Sequence, residues 1–264
     1  MSHIVFGIET RPRTDAERFF APPPPFDPLT VKMGNIKDQA LRTAKIEADR
    51  EAHQRMEADV RANFFDKAAL SPLTGEIVAI SAAAVATGLG TPHAPQRCSS
   101  YTGYVGYVEV TGGVCDEAGL LRGFLGWAMG MVPRPLALVS WSGSNQSGAF
   151  DADFLWRRCV ALGVEATWMS SVNHIDATHY LLQYAKPMTF LSLRNACMEV
   201  GLDPSYDGPC TGAEFASMLG RGGSDAEEAI RYLEADVDDL EAVWTKVLQA
   251  LPSDFNHYYG RSEQ

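Results

Sequence analysis

Three acidic residues and one tyrosine carry the chemistry this sequence can do. Glu9 ends an apolar run, Ile4-Val-Phe-Gly-Ile-Glu9-Thr10, that reads as a buried strand turning polar at its end. Asp151 follows Phe150 and opens a helical stretch, and Asp236 lies in the last helical stretch, four residues after Tyr232. Carboxylates brought from separate elements to strand ends suit a hard divalent cation. Mg²⁺ keeps several waters and takes few carboxylates, which leaves room for a phosphodiester. Two such ions about 4 Å apart activate water and stabilise a leaving oxygen. Each residue also has an ordinary reading. A strand-end glutamate is usually solvated, an aspartate at a helix start is usually a cap, and a tyrosine four residues before an aspartate is an unremarkable helical neighbour.

The elements that must position these groups follow from pattern. Residues 4–10 read as a strand, 76–85 as another, 104–110 alternates like a third, 136–141 is a fully apolar strand, and 176–182 reads as a strand. Helical periodicity covers 116–131, 151–162, 191–200, 213–219 and 225–251. Strands first in a meander, then alternating with helices, predict an α/β fold with a mixed sheet and helices on its faces. Pro12 and the run Pro22–Pro25 form a stiff connector. Residues 35–64 lack proline, are rich in helix formers and balance basic against acidic side chains, which predicts a long solvated helix inserted at about 30–68. Residues from about 253 onward read as loosely held.

Composition bounds the function. The chain has 264 residues, 46% hydrophobic and 21% charged, enough to build a core without staples. Twenty-two basic against 33 acidic residues give a net charge of −11, which argues against binding duplex nucleic acid by charge alone. Five cysteines, at 98, 115, 159, 197 and 210, include no Cys-x-x-Cys pair, so buried reduced thiols are expected. The run after Met1 carries no basic region typical of a signal peptide, and no apolar stretch approaches the ~18 residues of a membrane span. A cytoplasmic setting without membrane contact is expected.

Weaker constellations fall away. His174, Asp176 and His179 invite a metal reading, but His174 and Asp176 share a strand face only if the strand begins early, and His179 then points the other way. Gly220-Arg-Gly-Gly223 lacks the lysine of a phosphate-binding loop, and Ser142-Gly-Ser-Asn-Gln-Ser-Gly148 does not fit a serine-hydrolase elbow.

Taken in order, the motifs resemble those of the DnaQ-like, ribonuclease-H-fold 3′–5′ exonucleases, in the branch related to the proofreading domain of family-B DNA polymerases. The first motif of that family, Asp-x-Glu-Thr at the end of the first strand, is matched by Glu9 and Thr10. The second is matched by Phe150-Asp151 and its helix. The third, Tyr-x-x-x-Asp, is matched by Tyr232 and Asp236, which marks the tyrosine subclass. The segments Phe26-Asp-Pro, Val31 to Asp38 and Lys67 to Ile80 are also similar to this branch. The resemblance implies a single ribonuclease-H-like domain over 1–264. It implies two Mg²⁺ or Mn²⁺ ions held by Glu9, Asp151 and Asp236, with Tyr232 orienting the nucleophile. Substrates would be single-stranded DNA or RNA 3′ ends, cut to nucleoside monophosphates, with Thr10 and Phe150 near the substrate and a polymerase or repair protein as partner. Bases would stack on aromatics such as Trp141, Phe150 or Trp156.

One position departs from the family. Its first catalytic aspartate falls at position 7, where this chain has Gly7. Glycine supplies no ligand and weakens a strand slightly. Either metal-dependent hydrolysis has been lost, or another acid substitutes. Asp153 is expected on a different helix face, and Asp176 on a neighbouring strand. The alternatives to a nuclease are an inactive exonuclease-fold protein that binds nucleic acid or acts as a scaffold, and a partner-binding module that uses the charged arm.

Overall fold

A computed structural model describes residues 2–86, 97–101, 116–130, 137–143, 150–182, 185–186 and 189–251. The strand expected at 104–110, the tail from 253, Cys115 and the side chain of Cys98 lie outside the described residues.

The chain divides into two compact units, one formed by Met1–Thr10 with Glu76–Gln264 and the other by Arg11–Gly75. The larger unit is α/β. Its strands are β1 (Ser2–Pro12), β2 (Gly75–Ala86), β3 (Arg97–Tyr101), β4 (Ala137–Ser140) and β5 (Asn173–Asp176). They form one mixed sheet in the order β3-β2-β1-β4-β5. β2 and β3 are antiparallel, while β1, β4 and β5 run parallel, with Val5 opposite Val139 and Val139 opposite Ile175.

Alternation along β1 sorts its side chains. Ile4 and Phe6 are buried on one face with Leu120, Phe124, Phe154 and Leu155. Those partners come from α2 (Glu117–Gly130) and α3 (Phe150–Leu162). Val5 points to the other face and packs with Val139, Ile175, Val237, Leu240 and Trp244. The last three belong to α7 (Gly223–Ala250), whose sheet-facing stripe repeats at helical spacing. Two short helices, α5 (Leu193–Glu199) and α6 (Gly212–Arg221), flank α7. Gly222 and Gly223 both have positive φ, so the glycine-rich segment is the turn between α6 and α7.

Two buried polar contacts tie the layers. Arg158 of α3 pairs with Glu117 of α2 at 2.6 Å, and Glu117 also accepts the Ile77 backbone N–H of β2 at 2.8 Å. The Trp244 indole N–H donates to His3 Nδ1 at 3.0 Å. Cys159, Cys197 and Cys210 are free and buried, as expected.

The strand expected at 176–182 is not formed. β5 ends at Asp176, and α4 (Thr178–Leu182) follows. The Asp176 carboxylate accepts the Thr178 N–H at 3.0 Å, a local turn that competes with the strand ladder and starts the helix.

The smaller unit contains α1 (Gln39–Ala68), about 45 Å long at ~1.5 Å per residue. Asp38 caps it by accepting the Leu41 N–H at 3.0 Å. Only Ala68 of α1 is buried. The proline run lies along the helix: Phe20 packs on Phe64 at 5.3 Å, Phe26 on His53 at 5.8 Å, and Arg61 pairs with Glu17. No helix among the described residues is long and apolar enough to cross a membrane.

Candidate active site

The acids expected to act together do meet, at the C-terminal end of β1. By alternation Gly7 and Glu9 share the face of Val5, the face covered by α7. A Cβ on Gly7 would stand 3.4 Å from Leu233 Cδ1 and 3.8 Å from Val237 Cγ2. Tyr232 and Asp236, each one residue before one of those contacts on α7, come close enough to Glu9 for the groups to act on one another electrostatically. The Tyr232 hydroxyl donates to the Asp236 carboxylate. The first residue of α6 lies over this group, since a Cβ on Gly212 would stand 3.7 Å from the Tyr232 hydroxyl and 3.8 Å from both Glu9 carboxylate oxygens.

Asp151 enters from the first turn of α3, and its carboxylate accepts the backbone N–H of Ile8. The residue between Gly7 and Glu9 thus ties α3 to the strand end. Glu9, Asp151 and Asp236 line one pocket of about 150 Å³, together with Phe6, Gly7, Trp141, Leu193 and Leu233.

Crowding of acids in an apolar pocket disfavours their charged forms. Burial raises Glu9 well above the usual carboxylate range, and the charges of Asp236 and Asp151 raise it further. Asp151 is pushed up to about 8 by burial and then by Asp176 and Asp236, against the lowering effect of the Ile8 N–H. Asp236 is raised to about 6 by burial, opposed by the Tyr232 hydroxyl. The Tyr232 hydroxyl is itself raised by burial and by Asp236 and Glu9. Among the described residues no lysine or arginine pairs with Glu9, Asp151 or Asp236.

The other acids weighed from the sequence separate clearly. Asp153 is 58% exposed and pairs with Arg157 at 2.9 Å on the outer face of α3. Asp176 is close enough to raise Asp151, yet its oxygens are already engaged. They accept the Ser142 N–H at 3.3 Å, the Ser142 hydroxyl and the Thr178 N–H. His174 Nε2 bonds to the Met169 carbonyl at 3.1 Å, away from this network.

Of the residues placed near substrate, Thr10 is half-buried at the end of β1. Phe150 packs on Phe154 at 5.6 Å and belongs to the core edge. Trp156 faces outward from α3, 37% exposed. Trp141 does line the pocket.

Comparison of the sequence with protein-family models finds no match, and comparison with curated proteins finds none.

Sequence reading missed the supports of the site. Tyr206 packs edge-on against Tyr232 at 5.4 Å, donates to Glu228 at 2.6 Å and accepts the Cys210 N–H at 2.9 Å. Leu191 bonds to both Gly143 and Trp141 at the end of β4. These partners lie 26 and about 50 residues away in the chain, beyond any local spacing rule.

Three carboxylates that no lysine or arginine pairs with among the described residues are the donor type a hard divalent cation takes. The set is incomplete. Among the described residues no group of three His, Cys, Asp or Glu side chains closes around a point where an ion would sit. Gly7 leaves β1 with one carboxylate, Glu9, for the site.

Proposed function

We propose that the chain is a metal-dependent 3′–5′ exonuclease of the DnaQ-like, ribonuclease-H-fold type, acting on single-stranded DNA or RNA ends and weakened by Gly7. The observation that carries this reading is the coupling of Glu9, Asp151, Asp236 and Tyr232 from three separate elements, with the three carboxylates lining one pocket. Structural acids are ordinarily solvated or paired with a base. Four acidic groups gathered with no lysine or arginine paired to the carboxylates among the described residues point to function.

Glu9, Asp151 and Asp236 would hold Mg²⁺ or Mn²⁺, which would supply an activated water and neutralise charge on the phosphodiester. The chain's own contributions follow from the geometry. The Tyr232 hydroxyl, hydrogen-bonded to Asp236, would orient an incoming water beside Glu9. The Ile8 N–H fixes the Asp151 carboxylate against the strand. Leu193, Leu233, Val237 and Leu240 exclude bulk water from the pocket wall and so strengthen every charge interaction within it.

A second reading is favoured by Gly7 and by the open donor set: a catalytically inactive exonuclease-fold protein that binds single strands or serves as a scaffold. A cleavage assay separates the two, using 5′-labelled DNA and RNA single strands with Mn²⁺. The nuclease reading expects slow release of nucleoside monophosphates by this chain, at least tenfold faster release by Gly7→Asp, and none by Asp236→Ala. No release by either the parent chain or Gly7→Asp, with both folded, would overturn hydrolysis in favour of the second reading.

A further inference from the structure

Tyr232 owes its place to more than its own helix. A phenol four residues from a carboxylate reaches it along the helix surface, but such a pair by itself holds a side chain weakly. Two further rings meet Tyr232. Phe215 of α6 lies at 6.4 Å and is buried in the core beneath that helix. Tyr206 packs edge-on at 5.4 Å and comes from the connector between α5 and α6, where it is only half-buried.

That connector is fastened to α7 at two places. The Ser205 N–H donates to Asp239 at 2.8 Å, and the Tyr206 hydroxyl donates to Glu228 at 2.6 Å. Glu228 and Asp239 stand about 16 Å apart along α7, with Tyr232 and Asp236 between them. The Tyr206 hydroxyl also accepts the Cys210 N–H at 2.9 Å, and the Tyr206 carbonyl accepts the Arg194 guanidinium of α5 at 3.0 Å. The chain turns back closely over this hydroxyl. A Cβ on Gly208 would stand 2.5 Å from it and 2.6 Å from Tyr206 Cζ, an approach that only glycine permits. A phenol bonded twice at its hydroxyl and anchored at its carbonyl gives the Tyr232 ring a fixed wall.

We propose that Tyr206 is a positioning residue for the reaction. It acts through Tyr232, keeping that hydroxyl on Asp236 beside Glu9, and takes no part in holding a metal ion. The proposal rests on the nuclease reading. Loss of the ring at 206 frees Tyr232 to turn about its side-chain bonds, while Glu9, Asp151 and Asp236 stay on the elements that carry them. Misplacing a reacting group by about 1 Å costs on the order of 100-fold in rate.

The test is cleavage of 5′-labelled single strands with Mn²⁺ in the Gly7→Asp chain, beside Mn²⁺ titration by electron paramagnetic resonance. In that chain Tyr206→Leu is expected to lower kcat about 10- to 100-fold, with KM and Mn²⁺ affinity within about twofold. Gly208→Ala displaces the Tyr206 ring from an exposed position in the connector and is expected to do the same. Tyr206→Phe keeps the ring edge and is expected to stay within about threefold. Thermal melting establishes that each variant is folded. The deciding comparison is Tyr232→Phe: once that hydroxyl is gone, Tyr206→Leu is expected to cost nothing further. A readout free of cleavage is the ¹⁹F resonance of 3-fluorotyrosine placed at 232 in the parent chain, expected to move toward that of the free amino acid in Tyr206→Leu and to stay in Tyr206→Phe. Full additivity of the two losses, an unmoved resonance in Tyr206→Leu, or a loss of Mn²⁺ affinity that matches the loss of rate would overturn the positioning role alone. No cleavage by the Gly7→Asp chain would overturn the nuclease reading and the role with it.

Discussion

Leu233 Cδ1 lies 3.4 Å from the place where a Cβ on Gly7 would stand, an ordinary contact between apolar groups. Gly7 is not among the glycines with positive φ. Neither the backbone nor the packing of α7 requires glycine there. The residue leaves a gap in the pocket and a strand position with an avoidable entropy cost. Gly7→Ala is expected to raise unfolding stability by ~0.5–1 kcal/mol. Urea denaturation checks this, and a loss greater than the error of the fit would show that the strand needs glycine.

Gly7→Asp differs, because it adds a fourth carboxylate to a pocket that already disfavours three. Without metal it is expected to be less stable than Gly7→Ala by ~1–3 kcal/mol. Millimolar Mn²⁺ is expected to raise its melting temperature more than that of the parent chain. Equal shifts in the two chains would place Mn²⁺ elsewhere.

The raised acids set one limb of the pH dependence. Asp151 at about 8 and Asp236 at about 6 hold protons in the folded chain that the unfolded chain has released near pH 4. In the metal-free protein their contribution to stability therefore rises as pH falls from about 8 toward about 4. At pH 8 Asp151→Asn is expected to be more stable than the parent by on the order of 5 kcal/mol, with the advantage gone by pH 4. Denaturation curves at several pH values test this, and a variant less stable at pH 8 would contradict it.

His3 sets the opposite limb. Burial lowers its pKa to about 4, and the neutral ring accepts the Trp244 N–H. The unfolded chain takes up that proton near pH 6.5, so the contribution is whole above 6.5 and is lost as pH falls toward 4. His3→Gln is expected to flatten this loss in the same denaturation series. An unchanged slope between pH 6.5 and 4 would show that His3 titrates normally in the fold.

The position of the acids was legible because it follows from short periods. Alternation along residues 4–10 places Glu9 on the α7 face, and the four-residue step from Tyr232 to Asp236 places both on one side of α7. What the sequence hid depends on longer reach. The expected strand at 176–182 fails because a side-chain turn at Asp176 outcompetes the apolar pattern of the residues after it. In the sequence alone Asp176 is a spare acid. Its bonds to Ser142 across the β4–β5 ends become visible only once the parallel register sets Ser140 beside Asp176. The inserted helix was readable from composition, whereas the packing of Phe20 and Phe26 along it was not.

Direct titration with Mn²⁺, followed by the electron paramagnetic resonance signal of the free ion, asks whether Glu9, Asp151 and Asp236 form a cation site. The parent chain is expected to remove Mn²⁺ from solution with release of protons from Asp151 and Glu9. Binding is expected to tighten in Gly7→Asp and to fall at least tenfold in Asp236→Asn. A folded parent chain that leaves the free Mn²⁺ signal untouched, or binding unchanged in Asp236→Asn, would contradict a metal-dependent site at these residues.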